Sequence, residues 1–176
     1  NQAGCTLIVL AEWKAPVYQN AITLITSSIR RNGPANIDSK IHHNNLINNI
    51  LAKIEANNAG ADDALMLDNN GFVAETNACN IFMIKNGMVF TPNADACLPG
   101  ITRKTVITLC QQNNIPIHLK NISLAEMYNA DQVFTTGTMG ELTAVKMIDG
   151  RAIINRSGTD LLQHINDLFR NLTLAL

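Results

Sequence analysis

The chain is short of charge, of aromatic residues and of long apolar runs. Charged residues fill 15% of its 176 positions and aromatic ones 5%, and the formal net charge is −1. Its 13 lysines and arginines are scattered, which sets aside nucleic acid and membrane surfaces as expected partners. No apolar run approaches the roughly 20 residues needed to cross a bilayer. The Cys5–Ala11 segment lacks the basic flank and length of a secretory signal. The four cysteines, Cys5, Cys79, Cys97 and Cys110, show no C-x-x-C pair and no metal-ligand spacing. They read as free thiols in a reducing compartment, so the expected location is cytoplasmic and no metal is expected.

What remains is 47% hydrophobic, enough for one sizeable core and a single domain over residues 1–176. Cys5–Leu10 and Ala21–Ser27 read as buried strands. Residues 30–39 (RRNGPANIDS) form a polar loop, and His42–Ala59 has helical period with Leu46, Ile47, Ile50, Leu51 and Ile54 on one stripe. Short strands follow around Asn69-Asn70-Gly71 and Asn86-Gly87, the latter a type I′ hairpin signal. Further on come a helix over Thr102–Asn113, a strand over Ile115–Leu119, and a capping box at Ser123–Glu126. A strand over Gln132–Thr136, a hairpin around Asp149-Gly150 and a helix over Ser157–Leu172 complete the chain. Strands and helices mix without strict alternation, so the expected class is α+β with a strongly curved sheet.

Three polar groups fall in loops or at element ends. Lys40 closes the Gly/Pro loop, Glu75 ends an apolar strand before Thr76–Asn80, and Thr135–Glu141 is rich in hydroxyls and glycine. Taken singly, each reads as ordinary surface. Together with Gly100-Ile101-Thr102 at the entrance to a helix, they supply two anion-cradling loops, a carboxylate and an amine. A pyridoxal phosphate site needs those parts.

The ordered segments SSIRR (27–31), SK (39–40), LINNILAKIEANNAGADDALMLD (46–68), GFVAETNACNIFMIKNG (71–87), LPGITR (98–103), NADQVFTTGTMGELTAV (129–145) and IDG (148–150) resemble the class IV (fold-type IV) pyridoxal-phosphate aminotransferases. The match is to their large C-terminal domain, a curved, barrel-like mixed sheet with flanking helices. The resemblance implies pyridoxal 5′-phosphate as cofactor and a Schiff base on Lys40. It also implies Glu75 at the pyridine nitrogen, Ala78 and Gly100 beside the cofactor, and Ile101, Thr102 and Thr138 at the phosphate. Asn45, Met139 and Gly140 fall at substrate-contacting positions. The activity implied is amino-group transfer from a branched-chain L-amino acid to 2-oxoglutarate, by a homodimer. D-amino-acid transamination, aminodeoxychorismate lysis and a non-catalytic cofactor-binding remnant are the alternatives.

Two features depart from the family pattern. Asn45 stands where the branched-chain enzymes have a tyrosine. Lys40 also stands further than usual from Glu55-Ala56, so an alignment anchored on that helix without a gap puts the lysine slot on Ile41 or His42. The family's smaller N-terminal domain, with its phosphate-binding arginine, is expected to have no counterpart within these residues.

Overall fold

A computed structural model describes residues 4, 6–13, 17 and 20–174. Its strands are β1 (Ile22–Thr26), β2 (Asp63–Leu67), β3 (Val73–Thr76), β4 (Asn80–Lys85), β5 (Met88–Thr91), β6 (Ile117–Leu119), β7 (Gln132–Gly137), β8 (Glu141–Ile148) and β9 (Arg151–Ala152). The helices are α1 (Ile47–Asn58), α2 (Ile101–Gln112), α3 (Leu124–Tyr128) and α4 (Leu161–Leu174). The strands form one mixed sheet in the order β3-β2-β1-β8-β7-β4-β5-β6, with β9 beside β8.

That order requires a curl. β3 lies at one edge and β4 five places along, which in a flat sheet is roughly 24 Å at the usual strand spacing. The chain from Thr76 to Asn80 reaches at most roughly 14 Å. Edge strand β3 must therefore bend back toward β4, and Thr76 N–H does donate to Cys79 O at 2.8 Å. The expected curved α+β architecture is the one observed.

Strand alternation divides the core. Ile81, Met83 and Val133 join Ile22, Leu24, Leu65, Val145 and Ile148 on one face, with Ile122 and Met127 packed there. Phe82, Ile84 and Phe134 face the other way, onto Val106, Leu109 and Cys110 of α2 and Ile165 and Phe169 of α4. The Phe82 and Phe134 rings stack at 4.9 Å.

Local chemistry accounts for the turns. Asn86-Gly87 and Asp149-Gly150 carry φ of 51°/74° and 49°/73°, as type I′ hairpins require. Ser123 and Glu126 make both bonds of the capping box. Cys79, Cys97 and Cys110 are free; Cys5 lies outside the described residues.

Two expectations need correction, and the packing of the first helix is a further finding. Residues 6–10 form no strand, and Leu7, Ile8, Val9 and Leu10 are exposed; β1 already has β2 and β8 on its two sides, leaving them no ladder to join there. The first helix starts at Ile47 rather than His42, because side chains capture the preceding backbone. Asp38 Oδ1 accepts from Lys40 N–H at 3.0 Å and His43 Nδ1 from Asn45 N–H at 3.1 Å. Finally, the stripe Leu46, Ile47, Ile50, Leu51 and Ile54 is exposed. Helix α1 instead packs Ala52 and Ala56 onto Ala64 and Met66, since small side chains allow the closest approach to the sheet.

Asp149 fastens the β8–β9 turn to its neighbours. Its carboxylate accepts from Thr26 N–H at 2.6 Å, Thr26 Oγ1 at 2.5 Å and Tyr128 Oη at 2.7 Å. Asp149→Ala should lower stability by about 2 kcal/mol, the scale of charge-assisted bonds whose donors lose their partner. Asp149→Asn should lose less, and chemical denaturation curves would show both; wild-type stability in the alanine variant would contradict this role.

Candidate active site

Glu75 lies on β3 where the curl closes, and it is 5% exposed. Oε1 accepts from Arg31 Nε at 2.5 Å and from Leu98 N–H at 3.4 Å, and Oε2 accepts from Asn80 Nδ2 at 3.0 Å. Arg31 Nη1 donates to Asn49 Oδ1 at 3.1 Å, and Asn49 Nδ2 to Asn77 O at 2.8 Å. Burial pushes the Glu75 carboxyl up to about 7, against the pull of Arg31 and the Leu98 amide. Desolvation outweighs the ion pair here.

The SSIRR segment places that arginine. Glu55 of α1 accepts from Ser27 Oγ at 2.5 Å, from Ser28 N–H at 2.9 Å and from Ser28 Oγ. These bonds, first among them those from the Ser27 and Ser28 hydroxyls, hold the Glu55 carboxyl below its usual range. The chain after β1 is thereby locked to α1, and Arg31 projects to Glu75 with 6% exposure.

A cleft of about 260 Å³ opens over this network. Its walls include Arg31, Ser39, Ile41, His42, Glu75 and Ala78. Ala78 also lines a neighbouring cleft with Thr138, Met139, Gly140, Cys79 and Asp63. Thr138 in turn lines a third with Gly137, Ile101 and Thr102. The structure thus strings together Glu75, Ala78, Met139, Gly140, Thr138, Ile101 and Thr102 along one path. Lys40 and Asn45 are both exposed and line none of these walls.

The third cleft includes the entrance to α2. Gly100 is its N-cap residue, with no side-chain cap, so first-turn N–H groups are directed at that entrance. Thr102 is 7% exposed and Thr138 lies on the loop after β7. Two hydroxyls and a helix N-terminus suit an anion such as phosphate. Arg103 does not join them. It is buried, and its Nη2 donates to Pro92 O at 2.8 Å.

Gly100 has ordinary backbone angles, and its role is steric. A Cβ there would stand 2.2 Å from Oδ1 of Asn80, whose amide nitrogen holds Glu75. Among the described residues, no group of three or more His, Cys, Asp or Glu is arranged to hold a metal. The Cys79 thiol, beside Gly137, is pushed up to about 11 by burial, so it stays protonated.

A buried carboxylate in one of these clefts and a hydroxyl-lined helix entrance in another lie along one path, and the chain belongs to the class IV aminotransferases. The amino-transferase class IV family matches residues 2–148. The chain is 58% identical over 175 residues to branched-chain-amino-acid aminotransferase-like protein 2 of Arabidopsis thaliana, covering 98% of this chain and 31% of that protein. The branched-chain aminotransferase of Thermoproteus uzoniensis, solved with norvaline, superposes with TM-score 0.83 at 34% identity, covering 89% of this chain and 52% of that one. An aminotransferase from Brucella abortus, solved with its cofactor PLP bound, gives 0.84 at 28% identity, covering 92% and 57%. The chain therefore spans between 31% and 57% of the length of these relatives.

Arg31, Asn49 and Asn80 were not singled out from sequence as site residues, and His42 entered only as an alternative position for the lysine slot. SSIRR marked Arg31's neighbourhood, but its partner lies 44 positions away.

The raised Glu75 pKa fixes a sign. Between about pH 4.5, its ordinary value, and about 7, the folded state holds more proton than the unfolded one. Glu75's contribution to stability is full below that window and declines as pH rises through it. Wild-type stability minus that of Glu75→Gln should therefore fall from about pH 4.5 to about 7, measured by urea unfolding of both. A difference that rises with pH would show that the Arg31 pair wins.

Proposed function

We propose that this chain is the cofactor-binding large domain of a pyridoxal-phosphate enzyme that transfers amino groups between an amino acid and a 2-oxo acid. A branched-chain L-amino acid is the proposed donor and 2-oxoglutarate the acceptor. The observation that carries the reading is the buried Glu75 carboxylate at one end of the clefts, with Thr102 and Thr138 lining the other. The donor class follows the names of the relatives.

Each residue then has a task. Glu75 would accept from the N–H of the cofactor's pyridine ring, while Arg31 and Asn80 hold the carboxylate in place. First-turn amides at Ile101 and Thr102, with the hydroxyls of Thr102 and Thr138, bind the phosphate. Gly100 leaves room for Asn80. Met139 and Gly140, on the wall between the two ends, receive the substrate carboxylate. When bound, the cofactor supplies the electron sink for removing the α-proton. The residues present fit its pyridine and phosphate ends. At its aldehyde end the cleft walls carry Ile41 and two histidines but no lysine.

Assembly follows the same resemblance. The exposed Leu46, Ile47, Ile50, Leu51 and Ile54 form an apolar surface of the kind that a subunit interface covers, and a homodimer is proposed. No helix among the described residues is long and apolar enough to cross a membrane. A cytoplasmic location agrees with the free thiols.

Binding of pyridoxal phosphate, read by equilibrium dialysis, tests this reading. Thr102→Ala should weaken binding about tenfold, the worth of one good hydrogen bond to a charged group. Glu75→Gln should weaken it at least as much near neutral pH. Wild-type affinity in both variants would place the cofactor elsewhere.

A further inference from the structure

We propose that His42, not Lys40, stands at the aldehyde end of the pocket, and that this chain retains its cofactor without a covalent lysine link. The inference rests on the pyridoxal phosphate reading and concerns only how the cofactor is held and which side chain faces its reactive end.

The geometry of residues 38–43 carries it. Ser39 and Ile41 both line the cleft above Glu75, whereas Lys40 between them does not. Asp38 closes a turn here, accepting from Lys40 N–H through Oδ1 and from Ile41 N–H through its carbonyl, each at 3.0 Å. Ser39 is 1% exposed, and its Oγ donates to Asn32 O at 2.5 Å. Turning Lys40 inward would rotate Ser39 out of that buried bond. The structure therefore holds the lysine on the solvent side.

No other described lysine is nearer the task. Lys53 Nζ is bound to Asp62 O and Asp63 Oδ1, Lys85 to Asp131 and Lys120 to Glu126, and neither Lys104 nor Lys146 lines the cleft. The ungapped alignment on α1 puts the lysine slot at Ile41 or His42, and both residues line the cleft. Of the two, only His42 carries a side-chain nitrogen. His43 also lines the cleft, but it lies one residue past that slot and its Nδ1 accepts from Asn45 N–H at 3.1 Å.

The chemistry separates the two assignments. A stable C=N bond to an aldehyde requires a primary amine, which imidazole is not. An imidazole at that place can instead serve as a proton acceptor or donor. Cofactor retention then falls to Glu75 and the phosphate cradle alone.

Borohydride trapping decides the matter. The chain is equilibrated with equimolar pyridoxal phosphate, its binding is read by equilibrium dialysis, and a second portion is reduced with borohydride and mapped by peptide mass spectrometry. The wild type should bind saturably, release the cofactor on dialysis and show no stoichiometric phosphopyridoxyl adduct at Lys40. His42→Lys should gain one at residue 42: the new amine condenses with the aldehyde, water leaves, and borohydride delivers hydride to the C=N bond. Residue 42 is exposed, so the variant should fold, with circular dichroism as the check. A stoichiometric adduct on Lys40 in the wild type would overturn the inference. So would a folded His42→Lys variant that binds the cofactor yet is not modified at residue 42. Failure of the wild type to bind at all would instead overturn the cofactor reading, and this inference with it.

Discussion

The ion pair between Arg31 and Glu75 holds the site and the seam of the sheet together. Each partner belongs to a different part of the chain: Arg31 follows β1, and Glu75 is on edge strand β3. Asn80 of β4 and the Leu98 amide complete the arrangement. An ionised carboxylate offers about four acceptor positions, and three donors are in place around this one. A further position is left for a ligand's N–H. The isolated pair is a poor source of stability, because desolvating both groups offsets most of their attraction. Its value lies in direction: a buried carboxyl held at a set orientation in one cleft, with hydroxyls lining another further along the path.

The curl of the sheet makes that arrangement possible. In an open sheet, β3 and the loop after β7 would stand far apart. Bent back, β3 delivers Glu75 and Ala78 to the same path as Thr138, Met139 and Gly140, while the β5–α2 connection brings in Leu98 and the entrance of α2. The core clusters on the two faces stabilise the curl, so site geometry and packing are coupled. Gly100 shows the coupling at one atom: any side chain there would press on Asn80 and, through it, on Glu75.

What could be read from the sequence is what depends on neighbours along the chain. Asn86-Gly87, Asp149-Gly150 and the Ser123–Glu126 box carry their own turn and cap chemistry, and all three formed. The helix entrance at Gly100-Ile101 was legible for the same reason. The face of α1 was not. Its larger apolar residues share one stripe, but contact with the sheet is made by Ala52 and Ala56. The surroundings of Lys40 were not legible either: only the turn closed by Asp38 shows which of residues 39–42 line the cleft. Arg31 stayed hidden because its partner is distant in sequence and near only after the sheet has curled.

The sharpest test of Glu75 as the pyridine partner is a crystal structure of the chain grown with pyridoxal phosphate. The pyridine nitrogen should lie within hydrogen-bonding distance of a Glu75 carboxylate oxygen, with the phosphate at the Ile101 and Thr102 amides and the Thr138 hydroxyl. A phosphate bound elsewhere, or a ring turned so that Glu75 touches only Arg31, Asn80 and Leu98, would contradict that assignment.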